Sequence, residues 1–107
     1  MRTIVKKQKE LNNMFLYTFI MNYLGGVYIL QVNATDEYCA MRQWLEQLDL
    51  NEIQGFEEHH RQRLLKEDFI EENPTLIKGC KNVWCFGLKI AMRKDSAIIN
   101  FVKTRRK

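Results

Sequence analysis

The side chains with chemistry to offer in this chain of 107 residues are two adjacent histidines, three cysteines and thirteen carboxylates. His59 and His60 form the one histidine cluster. Neighbouring residues on a helix point about 100° apart, so the pair lacks the i, i+4 geometry with which two helical histidines hold one metal ion. Cys80 and Cys85 have an admissible zinc-ligand spacing, but no second cysteine or histidine pair follows them, and no metal is expected. A thiolate nucleophile at Cys85 needs an imidazole base beside it, and nothing local supplies one. Alternation with Trp84 and Phe86 makes Cys85 a small packing residue instead. Leu24-Gly25-Gly26-Val27 lacks the flanking pattern of a phosphate-cradling loop. The chain therefore reads as a non-enzyme without a cofactor.

The carboxylates are distributed unevenly, and that is the more informative pattern. Seventeen basic residues give a net charge of +4, but the basic excess sits at the ends. Arg2, Lys6, Lys7 and Lys9 stand against Glu10 alone, and Lys103, Arg105, Arg106 and Lys107 have no acid among them. From Asp36 to Glu72 eleven acids face Arg42, Arg61, Arg63 and Lys66, a net −7. Such a field favours encounter with a basic macromolecule and repels nucleic acid from that surface. The residues expected to meet a partner are Glu52, Glu57, Glu58, Glu67, Asp68, Glu71 and Glu72. The alternative is a small nucleic-acid-binding or regulatory module that uses its basic termini, with Tyr17, Phe19, Tyr28, Trp84 and Phe86 as a stacking platform. Few cations interleave with those rings, which favours a core role for them.

These residues must be positioned by a single domain: 46% of the chain is apolar, enough for one continuous core. No apolar run approaches the roughly 20 residues of a membrane span. The basic N-terminus continues into polar residues and not into a leader's apolar run, and three cysteines at irregular spacing make no disulfide framework. A cytoplasmic location with reduced thiols is expected. The division expected is a basic, mobile extension over 1–13, one domain over 14–104 and a basic tail over 105–107.

Met14 to Asn22 is almost uniformly apolar and Val27 to Val32 is rich in β-branched residues, so the two predict a hairpin around Gly25-Gly26. Thr35 opens a helix whose Tyr38, Met41, Trp44, Leu45 and Leu48 share the buried face, ending near Asp49. A second helix, capped by Asp49 or Asn51, carries Ile53, Phe56, His60, Leu64 and Phe69 as far as Asn73-Pro74. Alternation from Val83 to Met92 and the return from Ala97 to Val102 predict a closing hairpin, with Trp84, Phe86, Leu88, Ile90 and Met92 on the buried side. The fold class expected is α+β: a four-stranded antiparallel sheet with two helices packed on one face.

Three stretches carry a family likeness. Gly25-Gly26-Val27-Tyr28-Ile29-Leu30-Gln31-Val32-Asn33-Ala34 runs on to Ala40-Met41-Arg42-Gln43-Trp44-Leu45. The late Lys81-Asn82-Val83-Trp84-Cys85-Phe86 is followed by Ala97-Ile98-Ile99-Asn100. Together, across residues 14 to 104, they resemble small bacterial immunity proteins, the set encoded beside polymorphic or contact-dependent growth inhibition toxins. The resemblance implies a non-catalytic cytoplasmic protein that binds one cognate toxin domain, often a nuclease, and occludes its active site or its access to substrate. An acidic helical surface suits that role, because a nuclease must itself attract phosphate.

Overall fold

A computed structural model describes residues 14–67, 74–91 and 96–104. The expected extension over 1–13, the tail over 105–107, and Phe69 and Met92 lie outside the described residues. Strands β1 (Phe15–Tyr23) and β2 (Gly26–Ala34) form the opening hairpin, paired without a bulge from Phe15↔Ala34 to Tyr23↔Gly26. The turn falls one residue earlier than the glycine pair indicates, because its two central residues are Leu24 (φ 48°) and Gly25 (φ 82°). A two-residue turn that follows the strands' right-handed twist needs positive φ at both centres, and Gly26 is already paired in β2.

Helix α1 (Glu37–Gln47) is capped by Asp36, whose carboxylate accepts the Cys39 N–H at 2.8 Å; the cap is thus Asp36 and not Thr35. Ala40, Met41, Trp44 and Leu45 are buried on α1 and Leu48 just beyond it, whereas Tyr38 stands 42% exposed, against expectation. The long second helix divides. A 3-10 turn (Leu50–Glu52) capped by Asp49 comes first, then Gly55 with φ 85°, a left-handed value no helix interior accepts. Only after it does α2 (Glu58–Lys66) begin, with Leu64 its one fully inward residue.

The closing strands β4 (Val83–Leu88) and β5 (Ala97–Thr104) pair antiparallel as expected, and β5 inserts beside β1. The sheet has five strands, not four, in the order β2-β1-β5-β4-β3. The extra β3 (Thr75–Leu76) is two residues long, too short for any alternation to announce it. β4 stops at Leu88, and Ile90 is buried outside the ladder.

Register fixes what each face carries. Tyr17, Phe19 and Met21 of β1 align with Val32, Leu30 and Tyr28 of β2, and Phe19 and Met21 with Phe101 and Ile99 of β5, on the face that α1 covers. Trp44 stacks on Phe19 at 5.4 Å, Phe19 on Phe101 at 4.5 Å and Phe101 on Trp84 at 5.1 Å, each with planes 14° apart. Phe86 meets both Trp44 and Phe101 edge-on. The other face, with Ile20, Val27, Ile29, Ile98 and Val102, has no helix of the described residues over it.

Two stability outcomes follow from this core. Phe101→Ala removes the ring that joins four others, Tyr17, Phe19, Trp84 and Phe86, and should lower unfolding free energy by about 3–5 kcal/mol in urea titration. The Tyr17 hydroxyl is buried without a hydrogen-bond partner among the described residues, and burial, then the charges of Glu37 and Asp36, push its pKa up to about 12. An unfolded tyrosine ionises near 10, so the stability contributed by the neutral phenol is complete below pH 10 and is lost as pH climbs toward 12. Tyr17→Phe should be at least as stable as the parent at pH 7 and lose less stability over pH 10–12, as read by chemical denaturation.

Candidate functional site

The acidic middle of the chain resolves into two parts of different character. On α2, Glu58 Oε2 lies 2.9 Å from Arg61 Nε, off the N–H axis, and Glu67 Oε2 lies 3.4 Å from Arg63. Glu57 sits 3.5 Å from the His59 ring. The two arginines also fasten the helix: Arg61 donates to the carbonyls of Glu46 (2.6 Å) and Leu48 (2.9 Å), Arg63 to those of Lys89 (3.0 Å) and Ile90 (2.6 Å). With Lys66 they balance Glu57, Glu58 and Glu67, so the described part of this arm is neutral. Glu57, Glu58 and Glu67 are exposed as expected, yet they project little net field. Asp68, Glu71 and Glu72 lie outside the described residues.

From residue 36 to 52 the balance differs: Asp36, Glu37, Glu46, Asp49 and Glu52 stand against Arg42, a net −4. Arg42 pairs with Glu46 at 3.3 Å, while Asp49 and Glu52 form no ion pair among the described residues. Of the carboxylates expected to meet a partner, Glu52 is the one in this uncompensated region, and Asp49 joins it. Asp49 reads from sequence as a cap, a role it fills by accepting the Asn51 N–H at 3.1 Å, which hides its second use.

These two acids border a cavity of about 250 Å³ with residues 27–30 of β2 on one wall and Gln47, Asp49 and Glu52 on the other. Consecutive residues of β2 line it and none of β1 does, so it lies along the outer edge of the sheet. A wider cleft of about 570 Å³ continues past Asp49 toward Phe56, Glu57, Glu58 and Arg61. The site is thus an acidic hollow between the end of α1 and a strand edge.

Candidate chemistry elsewhere is dispersed. Cys85 alternates onto the face opposite Trp84 and Phe86, pairing with Asn100, and α1 packs on the other side of the sheet. Cys39 and Cys80 are exposed thiols, and burial together with Asp36 pushes the Cys39 thiol up, away from the reactive thiolate. Glu57, His59 and His60 hold ligand atoms within 4.8 Å of one another, and the two rings approach to 4.0 Å, closer than their helical spacing implies. His60 Nδ1, however, already accepts the Glu57 N–H at 3.0 Å, capping α2. Among the described residues, no helix is long and apolar enough to cross a membrane.

The His60 contact gives α2 a pH dependence. Burial and His59, with a smaller effect of Arg63, lower its pKa, and Glu57 opposes them. The neutral ring is the form that can accept the Glu57 N–H, so its contribution is complete above about pH 6.5, the unfolded value, and is lost as pH falls through the lower folded one. Thermal unfolding should show a loss between pH 7 and 5 that shrinks in His60→Gln, whose side-chain oxygen accepts without titrating.

Comparison with protein-family models, with curated proteins and with solved structures returns no match, so function is to be read from the chain's own surface.

Proposed function

We propose that this chain is a non-catalytic, cytoplasmic immunity protein that captures the basic toxin domain of a growth-inhibition system, one acting as a nuclease, and covers its substrate surface. The observation that supports the reading is the segregation of negative charge: the described part of the α2 arm is neutral, whereas residues 36–52 carry a net −4 beside a strand edge with no partner among the described residues. Carboxylates held on a capped helix and a 3-10 turn meet a cationic surface without having to be ordered on contact. Charge alone steers and selects, so affinity must come from apolar contact, and exposed Val27, Ile29 and Tyr38 are the anchors this surface offers.

The test is co-expression with the C-terminal domain of any large secreted toxin found encoded beside this chain, scored as rescue of growth and as affinity of the purified pair. Asp49→Lys with Glu52→Lys should weaken binding at least tenfold and steepen its loss less with added salt, while the triple reversal at Glu57, Glu58 and Glu67 should act through folding more than affinity. Unchanged affinity in the first variant rejects the acidic-surface mechanism. Absence of rescue by the parent chain rejects the immunity role, and RNA or DNA binding lost with residues 1–13 and 103–107 favours the nucleic-acid module in its place.

A further inference from the structure

The outer edge of β2 has the properties of an open strand-pairing site. The Leu24-Gly25 turn is two residues long, so Tyr23 and Gly26 are the hydrogen-bonded pair that closes the hairpin. Pairing then alternates: Tyr28, Leu30, Val32 and Ala34 bond to β1, and Val27, Ile29, Gln31 and Asn33 turn their N–H and C=O groups outward. β1 shows the complementary alternation, with Leu16, Thr18, Ile20 and Asn22 opposite β5. Among the described residues no strand pairs with β2 on this side. The outward groups span about 20 Å at strand rise.

Proteins ordinarily protect such an edge with lysine, proline, a bulge or brevity. The opposite edge, β3, is only two residues long. β2 runs nine residues, Gly-Val-Tyr-Ile-Leu-Gln-Val-Asn-Ala, without charge or proline, and its register with β1 has no bulge. Val27 and Ile29, whose backbone faces outward, are also the most exposed large apolar side chains among the described residues, at 59% and 66%. The cavity that runs along residues 27–30 is walled across from them by Asp49 and Glu52.

We infer that this hollow receives an extended, lysine- or arginine-bearing segment of a partner protein, which adds to the sheet as a sixth strand antiparallel or parallel to β2. The inference rests on the reading of the chain as the binder of a basic protein and names where that protein docks. Main-chain hydrogen bonds to Val27, Ile29, Gln31 and Asn33 hold the segment, Ile29 packs against its apolar side chains, and Asp49 and Glu52 take its cations. Charge also selects against a second copy: two β2 edges brought together carry two sets of Asp49 and Glu52 into one seam, and the uncharged strand offers no cation in return.

The experiment uses the intact chain and three peptides of about eight residues, roughly a strand's length: alternating valine and lysine, the same peptide N-methylated at alternate backbone nitrogens, and alternating valine and glutamate. Amide hydrogen exchange is read by NMR. The lysine peptide should slow exchange at Val27, Ile29, Gln31 and Asn33 at least tenfold. The methylated and glutamate peptides should bind at least tenfold more weakly. Ile29→Lys, at an exposed position that leaves the fold unaltered, and Gln31→Pro, which deletes one outward N–H, should each abolish the protection. Equal binding by the methylated peptide, or protection elsewhere than this edge, overturns the inference. So does protection of these amides in the free chain together with a dimer mass, which assigns the edge to a second copy. Growth rescue and toxin affinity unchanged in Ile29→Lys overturn the docking place and leave the immunity reading intact; peptide protection without any toxin capture supports the groove and sinks that reading.

Discussion

The stack of four rings, Trp44 on Phe19 on Phe101 on Trp84, is the contact on which the rest of the molecule depends. It draws one ring from each of α1, β1, β5 and β4, elements far apart in sequence, and lays them with planes within 14° of their neighbours. Offset aromatic pairs contribute about 0.5–1.5 kcal/mol beyond the area they bury, and here they also set register: a slip of one residue would turn Phe19 or Phe101 to the opposite face. The stack has a polar cost. Trp44 Nε1 and the Tyr17 hydroxyl are enclosed without hydrogen-bond partners among the described residues, groups that a core of aliphatic side chains would not contain.

Because that stack occupies the face under α1, α2 has little apolar surface left to claim. Leu64 is its one buried residue, and Arg61 and Arg63 do the fastening by donating to carbonyls of the α1 end and of the Lys89-Ile90 segment. A cation used as a clasp is held close to the helix, where Glu58 and Glu67 fall beside it at i−3 and i+4. The electrostatic surface is thus a consequence of the mechanical one. Residues 57–67, which must be tied down, lose their net field, and the stretch that packs by its own apolar face, α1 with its following turn, keeps its own.

Much of this architecture was legible in the sequence because alternation and helical spacing are local signals. Trp84, Phe86 and Leu88 announce a strand with one buried face, and Met41, Trp44, Leu45 and Leu48 a helix stripe. What stayed hidden depended on partners distant in sequence. In β1, Leu16 and Ile20 are as apolar as Phe19 and Met21, so the run reads as covered on both sides, although Leu16 and Ile20 lie on the face over which no helix of the described residues packs. Gly55 reads as a weak helix residue and is the residue that ends helical geometry. A count of carboxylates over 36–72 likewise could not separate Glu58 and Glu67, which have arginines at contact, from Asp49 and Glu52, which have none among the described residues. The edge position of β2 depends on β5 pairing with the other side of β1, a contact between residues some eighty apart, which no local pattern encodes.

The composition of β2 is not explained by the fold. On its inner face Val32 and Ala34 are buried and must be apolar. On its outer face the fold places no such demand: Val27 and Ile29 are more than half exposed, and a lysine at either would leave the core untouched while guarding the edge. The chain instead places two branched apolar side chains there, next to a backbone unpaired among the described residues, and puts charge across the hollow at Asp49 and Glu52. Negative charge in that place disfavours a second copy of the same edge, while leaving the backbone groups reachable by a strand that brings cations. An edge guarded in this manner discriminates between partners, whereas one guarded by its own lysine excludes all of them.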